Sequence, residues 1–231
     1  MARLPRLVLP GKAHHVVQRG HNAQPVFVDD EDRRQYLAAL REAARSQAVV
    51  VHAYALLDNE VQLLLRPPSE IALSRIMHAL GRRYVAGFNA RHGRSGTLWE
   101  GRFRAGVVED GPWLLSCLRL IDPLPALRAQ AETPRASRWS SAPHRLGVAR
   151  DPLLTDPPEY WQLGNTPFER EAAYGALLER GLNAEERQRV EHAASQGWAL
   201  GSPAFLAEVA ATLGRPARPR ARGRPRRDPA A

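Results

Sequence analysis

The stretch VVVHAYALLDNEVQLLL, residues 49–65, decides the fold. Val49 to Leu57 is β-branched and apolar, Asp58 and Asn59 are a turn-forming pair, and Glu60 to Leu65 returns as a second strand, so the segment reads as a hairpin. Upstream, Asp29 or Asp30 caps a helix running to about Ser46, with Tyr36, Leu37, Leu40, Ala43 and Ala44 at helical spacing. Before it, His14 to Arg19 reads as a strand, followed by a turn at Gly20, His21 and Asn22 and a short apolar piece at Val26 to Val28. Downstream of the hairpin, roughly Ser69 to Arg91 forms a helix with Leu73, Ile76, Met77, Leu80, Tyr84 and Phe88 on one stripe. Arg102 to Glu109 reads as a fourth strand, and Trp113 to Ile121 as a third helix stopped by Pro123 and Pro125. The order strand, helix, strand, strand, helix, strand predicts an α+β, ferredoxin-like antiparallel sheet with helices on one face and the other face free for a ligand. Many functions share that architecture, so it licenses no activity alone.

This unit spans 1–130. Residues 131–160, rich in Pro, Ser and Arg, read as a connector, and 161–214 as a small helical region. That region holds a helix pair, Phe168 to Arg180 and Ala184 to Gln196, and a third helix from Pro203 to Leu213 capped by Ser202. The tail, 215–231, has no apolar residue larger than alanine or proline and is expected to be disordered alone.

At 231 residues the chain is long enough to bury a core without disulfides, and its single cysteine, Cys117, lies in the apolar run WLLSCLRLI. No window approaches a membrane span, and the opening LVL is too short for a signal peptide, which predicts a cytoplasmic protein. The formal charge is +9, and the tail supplies much of it with seven arginines against one aspartate. A second concentration, Arg75, Arg82, Arg83, Arg91, Arg94, Arg102 and Arg104, faces only one acid, Glu100. Two basic patches predict a polyanionic partner. Lys12 is the only lysine; a GC-rich genome would explain that residue preference but not the clustering.

Several segments resemble the IS200-like, REP-associated tyrosine transposases, single-tyrosine enzymes of the HUH type. They are HHVVQRGHN, DDEDRRQYL, HAYALLDN, LSRIMHALGRRYV, FNARHGRSGTLWEGRF, RWSS, DPLLT and GWALGS, in that order, with GRSGTLWEGRF at 93–103 the most specific. The resemblance implies a ferredoxin-like catalytic domain acting on single-stranded DNA and hairpins. In that family the strand after HAYxLL carries His-x-His, whose imidazoles hold a divalent metal against the scissile phosphate. A tyrosine from a later helix then attacks to form a 5′-phosphotyrosyl link.

This chain departs from that pattern at each of those positions. Glu60 and Gln62 stand where the histidines would be, and Leu120, in RLIDPLPALRA, stands where the nucleophile would be. No catalytic residue is intact and no cofactor is expected, although Glu60 and Gln62 offer two oxygens of the kind that suit magnesium or manganese. His14, His15 and His52 read as hydrogen-bonding strand residues rather than a relocated metal site, and Tyr36, Tyr54 and Tyr84 as packing.

The expectation is therefore a DNA-binding pseudoenzyme. Its contacts would come from Arg19, Arg75, Arg82, Arg83, Arg91, Arg94, Arg102 and Arg104, with Trp99 either stacking on bases or plugging the core. In the tail, Arg222 and Arg224 flank a glycine as in an AT-hook, though a nonspecific polycation explains them equally. The competing readings are an active nuclease using Tyr84 with Glu60 and Gln62, and a non-enzymatic RNA-binding regulator. Monomer and homodimer both remain open.

Overall fold

The computed structural model describes residues 6–219. The Arg222 and Arg224 expectation lies outside them. Four strands, β1 (Ala13–Arg19), β2 (Val50–Leu57), β3 (Glu60–Arg66) and β4 (Arg104–Val108), form one sheet in the order β2-β3-β1-β4, every neighbouring pair antiparallel. This is the split arrangement the sequence predicts. Helix α1 (Asp30–Ser46) starts at Asp29, whose Oδ1 accepts from the backbone N–H of Glu31 and Asp32; three acids in its first turn suit the positive end of the helix dipole. Together with α2 (Ala72–Arg91) it covers one sheet face. There Val61, Leu63 and Leu65 of β3 meet Tyr36, Leu40, Leu73, Ile76, Leu80, Tyr84 and Phe88.

The opposite face, expected to be free, is covered. Helix α3 (Pro112–Ile121) lies on β2 and β3, and Asp122 stays in helical backbone so that the chain passes directly into α4 (Leu124–Leu127), with proline in its first turn. Helix α3 thus ends at Ile121, ahead of Pro123 and Pro125, as expected, and a separate short helix follows at once. Beyond α5 (Ala142–Arg145), α6 (Pro158–Trp161) and α7 (Pro167–Arg180) comes α8 (Ala184–Gln196), which packs on β4 and β1, and α9 (Pro203–Leu213) follows. Ala13, Ala53, Ala55, Leu57 and Leu64 of the sheet pack with Leu114, Cys117, Leu120, Tyr174 and Val190 in this second core. Gly106 of β4 permits the approach of α8: a Cβ there would lie 2.5 Å from the Trp198 carbonyl oxygen and 2.8 Å from that of Ala193.

Both sheet edges are capped by downstream chain. On the β2 side, Leu56 N–H donates to the Trp139 carbonyl, and the N–H groups of Ser141 and Thr155 donate to the carbonyls of Tyr54 and Val51. On the β4 side, Leu200 N–H donates to Val107 and Glu109 N–H to Leu200. The segments RWSS, DPLLT and GWALGS supply these caps. Residues 131–160, expected as a connector, are packed in part against the sheet, and Arg145 is completely buried.

Candidate nucleic-acid interface

Alternation along β3 sends Val61, Leu63 and Leu65 toward α1 and α2, and therefore Glu60 and Gln62 to the face shared with α3 and α8. Register places Gln62 opposite Val17 and Glu60 opposite Arg19. The result is a directed polar chain. His15 Nε2 lies 2.8 Å from Gln62 Oε1, Gln62 Nε2 donates to Glu60 Oε1 at 2.6 Å, and Arg19 Nε donates to Glu60 Oε2 at 2.5 Å. A carboxylate can only accept, so the Gln62 amide must turn its nitrogen to Glu60 and its oxygen to His15, which fixes the His15 proton on Nε2. Burial drives His15 down to about 4, keeping the ring neutral, and its Nδ1 has no partner among the described residues.

Arg19 ends this chain in solvent. It borders a cleft of about 540 Å³ lined also by Asn22, Asn59, Glu60, Arg128 and Gln130. On its other side lies a groove of about 260 Å³, where Arg102 and Arg104 meet Ser195 and Gln196 at the C-terminal end of α8. Glu100 borders both. The loop at 93–103 is stitched to the β1 end through Glu100 N–H to the Arg19 carbonyl, His21 N–H to the Leu98 carbonyl, and Arg94 to Gln24 Oε1 at 2.9 Å.

No hydroxyl nucleophile of tyrosine type reaches this cleft. Leu120 is 1 % exposed, packed in the second core together with Leu57 of the cleft wall. All five tyrosines are between 0 % and 5 % exposed. Tyr36, Tyr54 and Tyr84 lie in the core on the far side of the sheet. The Tyr84 hydroxyl donates to the Val26 carbonyl at 2.5 Å, and Tyr54 to Asp151 at 2.8 Å. On the near side, Tyr160 donates to the Arg145 carbonyl and Tyr174 to Asp122. Burial raises all five phenols above their usual value, opposite to what a nucleophile needs.

A divalent cation does not fit the donors at 60 and 62. Both Glu60 oxygens and the Gln62 oxygen already accept hydrogen bonds, and a metal there would sit beside the Arg19 guanidinium. Among the described residues no group of three or more His, Cys, Asp or Glu is arranged to hold a metal. The other histidines are engaged elsewhere. His14 Nδ1 meets the Lys12 carbonyl and its Nε2 accepts from Leu9 N–H, while His52 bonds the Thr155 carbonyl and accepts from Arg66.

The basic residues separate into groups. Arg19, Arg102 and Arg104 share the groove just described, whereas Arg75, Arg82 and Arg83 ride on α2, which covers the other sheet face. Arg83 pairs with Glu42, and Arg91 with Asp29 and Asp32. Arg75, Arg82, Arg102 and Arg104 are exposed, with no ion-pair partner among the described residues. Trp99 is a correction to the contact set: it is 7 % exposed, its ring centroid 6.3 Å from Tyr84 and 6.5 Å from Tyr36, so it offers no face for a base. Phe103 is likewise core. Arg6 and Arg128 were missed because both lie outside the two basic concentrations. Arg6 stacks 3.6 Å over Phe103, and burial together with the charges of Arg102 and Arg104 holds it down to about 10.

No helix among the described residues is long and apolar enough to cross a membrane. Comparison with the curated proteins finds no match. Among solved structures, the chain resembles a REP-associated tyrosine transposase bound to a REP hairpin, with TM-score 0.55 and 12 % identity over 69 % of this chain and 93 % of that one. A candidate transposase from Deinococcus radiodurans R1 aligns at 20 % identity over 56 % of this chain and 92 % of that one, with TM-score 0.37. Residues 11–114 match the family described as IS200-like transposase, which spans the whole four-stranded sheet and the start of α3. Over that stretch the chain is similar to the IS200-like transposases.

Proposed function

We propose that this protein binds single-stranded or hairpin DNA in the cytoplasm and neither cuts nor joins it. The observation that carries the second half is the burial of every tyrosine, combined with leucine at position 120. Phosphotyrosyl chemistry needs a hydroxyl that a phosphorus atom can approach in line, and each phenol here is enclosed in a core. Tyr84, the strongest substitute on sequence grounds, is separated from Glu60 and Gln62 by the sheet itself.

The first half is supported by the surface that remains. Arg19, Arg102, Arg104 and Arg128 border adjoining grooves on the face that carries Glu60, and the solved structure of similar fold is bound to a hairpin. Guanidinium groups in grooves bind phosphates through charge and paired N–H donors. A labelled hairpin oligonucleotide carrying a single-stranded flank tests both halves. At low salt with magnesium or manganese it is retarded without nicking; recovery of a protein-linked 5′ fragment would overturn the claim of inactivity.

A further inference from the structure

The least expected feature of the interface is the buried polar chain behind Arg19. His15 and Gln62 are more than nine-tenths buried, and Glu60 nearly as much, in a sheet face otherwise filled by Ala, Val and Leu. Burying a carboxylate and an amide is costly unless their hydrogen bonds are satisfied, and a well-packed apolar pair would serve the core as well. The chain has one outlet. Glu60 holds Arg19 by Nε alone, so both terminal nitrogens of the guanidinium, with four N–H groups, have no partner among the described residues. The Arg19 side chain is 57 % exposed while Glu60 is 9 %, so the carboxylate is the fixed anchor and the guanidinium the presented group. The terminal N–H fork stands between the cleft toward Arg128 and the groove toward Arg102 and Arg104, where Asn22, Asn59 and Gln196 add neutral polar groups.

We propose that Arg19, clamped by Glu60 and Gln62, is a metal-independent phosphate ligand that grips the backbone of a single strand where it crosses from one groove to the other. Glu60 and Gln62 are positioning residues: they fix the plane of the fork without touching the phosphate. The inference rests on the DNA-binding reading above, and it assigns the cationic role at this site to a guanidinium.

The test is fluorescence anisotropy of a 5′-labelled single-stranded oligonucleotide, titrated at several salt concentrations, once with chelator and once with magnesium. Affinity is expected to be the same with and without the metal. Arg19→Ala should weaken binding roughly tenfold and lower the slope of log affinity against log salt by about 0.7, the loss of one phosphate contact on a single strand. Arg19→Lys keeps the charge and so the slope, but loses the fork and part of the affinity. Glu60→Gln should also weaken binding while leaving the slope intact. Arg34→Ala, an exposed arginine on α1 paired with Glu31, is the charge control and should change little. Wild-type binding that is unchanged in Arg19→Ala, or that requires magnesium, would overturn this proposal and leave the DNA-binding reading standing. Absence of wild-type binding to both single strand and hairpin would overturn both. Inorganic phosphate as competitor separates sources: displacement at low millimolar concentration would mean a free-phosphate site and count against the strand. A melting curve for each variant confirms that it is folded.

Discussion

Two buried polar networks lie against the same face of the sheet, and they differ in how they end. The first runs from His15 through Gln62 and Glu60 and opens at Arg19. The second centres on Asp122 and Arg145, both 0 % exposed. Asp122 accepts from the Ser141 hydroxyl on one oxygen, and from Arg145 at 2.8 Å and the Tyr174 hydroxyl at 2.6 Å on the other. Arg145 also donates to the His52 carbonyl, and its Nε faces Asp156 at 3.3 Å. Every charge there is matched inside the protein, so the network joins α3, α5 and α7 and presents nothing outward. The contrast separates structural polarity from available polarity: a network closed on itself holds elements together, and one ending in an exposed guanidinium is poised for a ligand.

Asp122→Ala breaks the closed network most severely, because it removes the buried carboxylate that pairs with a fully buried guanidinium and leaves it only Asp156, at 3.3 Å from Nε, as counter-charge. A loss of about 3–5 kcal/mol is expected in urea unfolding, and a loss below about 1 kcal/mol would remove the distinction between the networks.

Proton binding provides the next test. Burial pushes His14, His15 and His52 from 6.5 to about 4, so between those values the unfolded chain binds protons that the fold refuses. Stability is therefore full above about pH 6.5 and falls as pH drops toward 4. Replacing His15 with Gln should flatten that fall by close to one proton, about 1.4 kcal/mol per pH unit where the proton difference is complete. An unchanged slope would mean that the inner end of the open chain is wet.

Tyr174→Phe removes one hydrogen bond to a buried carboxylate, an expected cost of about 1.5–3 kcal/mol with no effect on oligonucleotide affinity. Smallest of all is the stability effect of Arg19→Ala, about 1 kcal/mol, because the Glu60 oxygen it leaves unpaired borders the open cleft, where water can take the place of the guanidinium. Its effect belongs to binding. If Tyr174→Phe and Arg19→Ala moved stability and affinity together, the two networks would be one.

Much of this was legible. The apolar run at 49–57 with its Asp58-Asn59 turn placed the hairpin, Asp29 marked the start of α1, and the C-terminal helices stand where expected, the Ser202 hydroxyl oxygen accepting from Phe205 N–H. The residues at 60, 62 and 120 were readable, but how they are joined was not, because the bond from Gln62 to His15 links positions 47 apart in sequence. The covered second face had a signal that the expected open face did not use. In β2 every residue after Val50 is buried, and an unbroken apolar strand is the mark of a sheet packed on both sides. Trp99 could not be assigned from sequence, since a tryptophan beside arginines suits a base and a core equally until Tyr36 and Tyr84 are seen around it.

The capped edges make the region of family similarity and the region that folds two different things. A fragment stopped at residue 114 would keep all four strands but strip the hydrogen-bonding partners from β2 and β4 and bare the alanine- and leucine-rich face beneath α3, α4 and α8. Such a piece would present open β-rims ready to recruit other copies, the usual route to aggregation. Residues downstream of 114 thus complete the edges and the second core of the sheet, and an excised or grafted version is expected to need them.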